Sequence, residues 1–312
     1  MDSGGKRLRV VFMGTAPFAL PTLRALAASE KVVAVVTQPD RPRGRGRKVL
    51  PPPVKEHAVD LGLPILQPER VKEQDFIALL EELQPELIIV AAFGQILPPA
   101  VLEVPHLGCV NVHPSLLPNY RGAAPINWAI INGETRTGVT TYLMDEGMDT
   151  GAILMAQEVE IRRDETAQEL GERLAELGGG LLLETIKGLK EGALQPTSQD
   201  EKEASYAPIL KKEDGLIHWE GEAPQIRNQI RGMIPWPVAF TFLGGKRMKI
   251  YGARIGDGKG APGQIISLDV GIEVACGKRS LLIEELQIEG GRRMGWKEFA
   301  RGHRLTLGER LG

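Results

Sequence analysis

The run Glu86-Leu87-Ile88-Ile89-Val90-Ala91-Ala92-Phe93 is apolar almost without interruption. A strand without polar alternation is buried on both faces, which places it inside a parallel sheet covered by helices. Its neighbours agree. Residues 8–13 read as a buried strand, Gly14-Thr15-Ala16-Pro17 turn it into an amphipathic segment over 18–28, and residues 31–37 form a second strand. Helices over 54–61 and 72–83, with a short strand at 64–66, continue the alternation. The prediction is an α/β fold with a doubly wound, mostly parallel, Rossmann-like sheet. The strand ending at His113 belongs to it by chain order.

At 312 residues the chain is long for one domain. A strand is predicted over 153–161, then a helix over 166–189 capped by Asp164, with Leu170, Leu174, Leu177 and Leu181 on its buried stripe. Residues 191–208 are polar, contain Gly192, Pro196 and Pro208, and are expected to link two domains. After a helix over 223–233, short β-like runs at 239–243, 247–253, 263–267, 271–275 and 281–289 predict a smaller barrel of the oligonucleotide-binding (OB) type. The expected division is therefore 1–190, a linker at 191–208, and 209–312.

Asn111 and His113 stand two apart at a strand end, so both side chains leave the same face before Pro114 stops the strand. A second β-branched run, 137–144, ends at Asp145-Glu146-Gly147-Met148-Asp149-Thr150-Gly151, whose glycines let the loop bend back toward that face. An amide, an imidazole and a carboxylate together can manage a proton while an oxygen becomes negative. Singly, each can be structural: the histidine a bonded core residue, the asparagine a partner for buried backbone, the aspartate a turn brace. Gly14, Gly94, His113 and Asp149 all follow strand ends, where open α/β sheets bind ligands.

Other chemistries lack their signatures. Gly14-Thr15-Ala16-Pro17-Phe18 is not the glycine fingerprint of a dinucleotide site, and Gly44-Arg45-Gly46-Arg47-Lys48 lacks the Gly-Lys-Ser/Thr of an ATP loop. Ser115 sits in no nucleophile elbow. His106, Cys109 and His113 lack a nearby further ligand for zinc, so no metal is expected. The two cysteines, Cys109 and Cys276, form no disulfide framework. No apolar signal or bilayer-length run is present, so a cytoplasmic protein without a membrane is expected.

Charge points to a polyanion. Arg41, Arg43, Arg45, Arg47 and Lys48 crowd beside Asp40 in a segment whose prolines and glycines are expected to prevent regular structure, leaving a mobile loop. Repulsion among five cations would be relieved by a phosphate backbone. Residues 205–312 carry 17 Lys/Arg against 12 Asp/Glu, within a chain of formal net charge -2.

Asn111-x-His113 with Ser115-Leu116-Leu117-Pro118, Arg121-Gly122-Ala123-Ala124-Pro125, and Asp145-x-Gly147-x-Asp149-Thr150-Gly151 resemble the formyltransferase family that uses 10-formyltetrahydrofolate. Gly14-Thr15-Ala16-Pro17-Phe18-Ala19, Gln38-Pro39-Asp40-Arg41-Pro42 and Ile234-Pro235-Trp236-Pro237 resemble its members that act on initiator tRNA. The resemblance spans almost the whole chain, weakening after about Lys246. One departure is Pro114, where many relatives have glycine.

The resemblance implies Asn111, His113 and Asp149 as the catalytic set. It implies folate binding by Phe93, Gly94, Gln95, Ile96 and Leu97, by Ser115, Leu116, Leu117 and Pro118, and by Asp145, Glu146 and Gly147. It further implies methionyl initiator tRNA as acceptor, its end met by Arg41, Arg43, Arg45, Arg47 and Lys48 and its stem by the barrel. A monomer is the default. The competing readings are a family member acting on a small amine, such as a glycinamide ribonucleotide or an amino-sugar nucleotide, and a non-catalytic RNA-binding protein.

Overall fold

The computed structural model describes residues 6–43 and 48–312, which divide into two compact units. The first comprises residues 1–122, 137–159 and 171–206. Its elements run β1 (Arg9–Gly14), α1 (Leu20–Ser29), β2 (Lys31–Val36), β3 (Arg41–Arg43), β4 (Lys48–Leu50), α2 (Pro53–Asp60), β5 (Ile65–Leu66), α3 (Gln74–Leu83), β6 (Leu87–Ala91) and β7 (Cys109–His113). They continue with β8 (Arg136–Leu143), β9 (Ile153–Glu160) and α4 (Ala167–Lys190), whose first residues fall in the second unit.

Among the described residues a seven-stranded sheet has the order β9-β8-β7-β6-β1-β2-β5. All five residues of β6 are buried, as its unbroken apolar run requires. β1 pairs in parallel with β2 on one side and β6 on the other. Strand order thus reverses at β1, and the crevice beyond the carboxyl ends of β1 and β6 is where such a sheet accepts ligands. One face rests on a cluster including Val11, Met13, Ile88, Val90, Phe93 and Cys109.

Two expectations for this unit change. β8 runs antiparallel to β7, with Val110 opposite Leu143 and His113 opposite Thr140. The loop carrying Asp149 therefore leaves the sheet beside the start of β7, not at the carboxyl edge shared by Gly14, Gly94 and His113. It reaches His113 only by turning back. Gly151 permits this turn, because a Cβ there would strike the Leu143 carbonyl. The segment expected to be irregular contains a hairpin: Arg41 pairs with Leu50, Pro42 with Val49 and Arg43 with Lys48. A two-stranded ribbon has free edges, so Pro42 need not donate to a ladder.

The second unit comprises residues 123–136, 160–170 and 207–312. Pro125 starts a helix to Ile131 that the sequence reading did not anticipate, a position where its missing N–H costs nothing. α5 (Ala223–Gly232) opens with a capping box of Glu222 and Gln225. β10 (Phe240–Leu243), β11 (Lys246–Gly256), β12 (Ile265–Ser267), β13 (Ile272–Ala275), β14 (Ser280–Ile288) and β15 (Met294–Gly295) follow, then α6 (Trp296–Gly302). They build a curled antiparallel half-barrel in the order β10-β11-β14-β13-β12, with β15 against β14. Ile226, Ile230, Ile250, Val274, Leu281, Ile283 and Phe299 fill its core.

The start of α4 is capped by Thr166 rather than Asp164. Glu169 N–H donates to Thr166 Oγ1 and Thr166 N–H to Glu169 Oε2. Asp164 instead pairs with Arg227.

Candidate active site

β7 alternates its faces. Cys109 roots one face in the apolar cluster, and Asn111 and His113 continue that face toward the carboxyl edge. Val112 points the other way onto α4, where Gly178 allows the approach. Period two thus brings the amide and the imidazole to one side.

A hydrogen-bonded knot forms around them. Asn111 Nδ2 donates to the Tyr142 hydroxyl (3.0 Å), and that hydroxyl donates to Asp149 Oδ1 (2.7 Å). Gly122 N–H donates to Asp149 Oδ2 (2.7 Å). Burial first, and the Asp149 charge second, push the Tyr142 phenol well above its ordinary pKa, so it remains a donor.

His113, buried, holds Tyr120 O at 3.0 Å through Nε2. A carbonyl only accepts, so Nε2 carries the proton. Nδ1 lies 3.7 Å from Asp149 Oδ2, ion-pair range but beyond a hydrogen bond. The ring is therefore oriented by Tyr120, and Asp149 faces it as a charge. Asp149 itself adopts φ 57°, a left-handed conformation that aspartate tolerates better than most side chains.

The Asp149 turn is braced from behind. Gln199 Nε2 donates to Asp149 O (2.9 Å) and Gly151 O (2.7 Å). Arg121, fully buried, donates through Nη2 to Gln199 Oε1 (2.8 Å) and forms a two-pronged pair with Glu201 at 2.8 and 2.9 Å. Residues 199–201 lie in the stretch expected as a linker.

The loops implied for folate binding divide by what their side chains already do. Phe93 is buried, and its carbonyl accepts from Thr15 Oγ1 (2.8 Å). Gln95 Oε1 accepts from Val71 N–H (3.1 Å), so its amide shapes the loop. Ser115 Oγ donates to Asn119 O (2.6 Å), Leu117 N–H donates to Thr140 Oγ1 (3.2 Å), and the Leu117–Pro118 peptide is cis. Asp145 accepts from Gly147 N–H (3.0 Å) and Thr150 Oγ1 (2.6 Å), rigidifying its own turn. Glu146 and Gly147 are exposed, Leu116 and Pro118 partly buried, Leu97 buried, and Gly94 has φ 86°. Ile96 and Met148 are 75% and 59% exposed. These loops thus combine hydrogen-bonded turns with the exposed apolar side chains of Ile96 and Met148.

At the basic hairpin, Asp40 accepts from Gln67 Nε2 (2.8 Å) and Lys55 Nζ (2.7 Å), the first bond above all holding its carboxyl below the usual range. Gln67 also donates to Gln38 O (2.9 Å), and Arg41 faces Glu69 at 3.6 Å. Arg43 and Lys48 stand opposite each other in the ribbon. Arg45 and Arg47 lie outside the described residues.

Sequence reasoning quoted Arg121 and Gly122 in a motif without giving them a role, and missed Tyr142 and Gln199. Tyr142 offered a signal, a tyrosine in a β-branched strand, where a buried hydroxyl needs a partner.

Two family models match the chain: Formyl transferase over residues 7–186 and Formyl transferase, C-terminal domain, over 209–304. The methionyl-tRNA formyltransferase of Trichlorobacter lovleyi is 55% identical over 97% of this chain and 96% of its own length. That of Citrifermentans bemidjiense is 54% identical over 98% and 96%. Among solved structures, HypX from Aquifex aeolicus in complex with tetrahydrofolic acid aligns with a TM-score of 0.64 at 17% identity, covering 97% of this chain and 51% of that one. It is similar in fold.

Proposed function

The chain belongs to the formyltransferase family, and from that premise we propose how its residues carry the reaction. The reaction is transfer of a formyl group from 10-formyltetrahydrofolate to the α-amino group of methionyl initiator tRNA. The observation that carries this reading is identity above one half, over nearly the full length, to relatives named for that activity.

The donor supplies an activated formyl group on N10. As the amine attacks the formyl carbon, the carbonyl oxygen gains charge, and an Nδ2 proton of Asn111 stabilises it. His113 holds its Nε2 proton on Tyr120 O, so Nδ1 is the atom that takes the proton leaving the amine. Asp149 accepts hydrogen bonds at both oxygens and acts as a fixed negative charge beside the imidazolium formed. Return of that proton from Nδ1 to N10, as the carbon–N10 bond breaks, balances the transfer. Folate is held by the 93–97 loop, the 115–118 turn and the 145–147 turn. The acceptor end of the tRNA meets Arg41, Arg43, Arg45, Arg47 and Lys48, with the basic C-terminal barrel along the stem. The chain acts as a monomer in the cytoplasm, where its acceptor is made.

The deciding assay supplies 10-formyltetrahydrofolate with methionyl initiator tRNA, methionyl elongator tRNA or small amines and follows formyl transfer. Preference for initiator tRNA is the expected result. Formylation of only the small amines would overturn it. Sedimentation at assay concentration tests the monomer.

A further inference from the structure

We infer that Tyr142 is a positioning residue of the transfer step, its hydroxyl deciding which end of the Asn111 amide faces the reacting oxygen. This rests on the assignment of Asn111 as the oxyanion donor.

The register makes the contact local. Asn111 and Tyr142 are cross-strand partners in the antiparallel β7–β8 pair, so their side chains leave the sheet side by side. Tyr142 is 2% exposed, leaving its hydroxyl to find partners inside the protein. A phenol has one proton. Asp149 Oδ1, at 2.7 Å, can only accept, so it receives that proton. The phenol oxygen must then accept from Asn111, and the amide is fixed with Nδ2, not Oδ1, toward the tyrosine at 3.0 Å. Nδ2 keeps a second proton.

An asparagine amide is nearly symmetric in shape and opposite in polarity at its two ends. Turned over, it would direct carbonyl character where a negative oxygen develops. Directionality therefore passes from the Asp149 charge through the phenol to the amide. Ring packing alone cannot do this, because it does not distinguish NH2 from O.

The test uses Tyr142→Phe, which keeps the ring, and Tyr142→Met, which fills the space differently, each with and without Asn111→Ala. Unfolding midpoints and circular dichroism verify the fold. Either Tyr142 variant is expected to lower kcat by about ten- to a hundredfold while KM for both substrates stays within about twofold. In the Asn111→Ala background most of that factor should disappear, since the amide to be oriented is gone.

Wild-type kcat in both Tyr142 variants, an effect confined to KM, or an undiminished factor in the double variants would overturn the proposal. Wild-type turnover in Asn111→Ala itself would instead overturn the catalytic assignment beneath it.

Discussion

The knot around Asp149 and the hairpin beyond Asp40 solve opposite problems with charge. In the knot, one carboxylate among neutral donors sits beside buried His113; Asp149 accepts from Tyr142, Gly122 and Gln199, and the His113 ring donates to Tyr120 O. In the hairpin, Arg41, Arg43 and Lys48 stand on a ribbon whose base is tied through Asp40, Lys55 and Gln67, with Arg41 facing Glu69. Buried donors with fixed geometry stabilise charge that appears during a reaction. Clustered cations attract charge that is already there, over a distance set by salt. The two regions should therefore fail in different ways when altered.

The largest failure is expected at the knot. Asn111→Ala should reduce turnover by roughly two to three orders of magnitude, an oxyanion donor being worth about 3–4 kcal/mol, with little change in KM. Steady-state kinetics on formylation of the tRNA checks this. Replacing Arg43, Arg45 and Arg47 together with glutamine should leave folate binding intact and weaken tRNA use on the order of tenfold or more. The slope of log KM against log salt should also flatten. An unchanged slope would remove the hairpin from the acceptor site and dissolve the contrast.

Gln199→Ala tests whether the outer brace matters to the knot. Losing two donors to the Asp149 turn should cost about 1–2 kcal/mol, read as a modest fall in kcat and in unfolding midpoint. The smallest effect sharpens the boundary between chemistry and scaffold. Burial pushes Cys109 to about 12 and Cys276 to about 11, so neither forms thiolate at assay pH. A thiol reagent should leave turnover unchanged until the protein is unfolded.

What the chain reveals in advance follows from the range of the physics involved. The unbroken run at 86–93 and the alternation around Asn111 and His113 are encoded in neighbouring residues, and both elements form where expected. The direction of β8 is not encoded that way. A period-two strand looks the same parallel or antiparallel, so the return path of Asp149 depended on a pairing partner about thirty residues away. Tyr142 stood only as one member of a β-branched run, because nothing local announces that its hydroxyl will meet Asn111 and Asp149. Gln199 and Glu201 read as linker because a polar, proline-bearing stretch gives no sign that its side chains will meet Arg121. The hairpin was obscured by Pro42, which disfavours a strand only where both edges must pair.

The clasp between Arg121 and residues 199–201 has a consequence for how the enzyme comes into being. Asn111, Tyr142 and Asp149 lie within one short span and can meet soon after they are made, a low-contact-order event. Gln199 follows Asp149 by 50 positions, and Glu201 follows Arg121 by 80. During vectorial synthesis the Asp149 turn is made before the segment that braces it. Order of synthesis thus separates the pairing of Asn111, Tyr142 and Asp149 from the clasp that closes behind them, which needs residues 199–201.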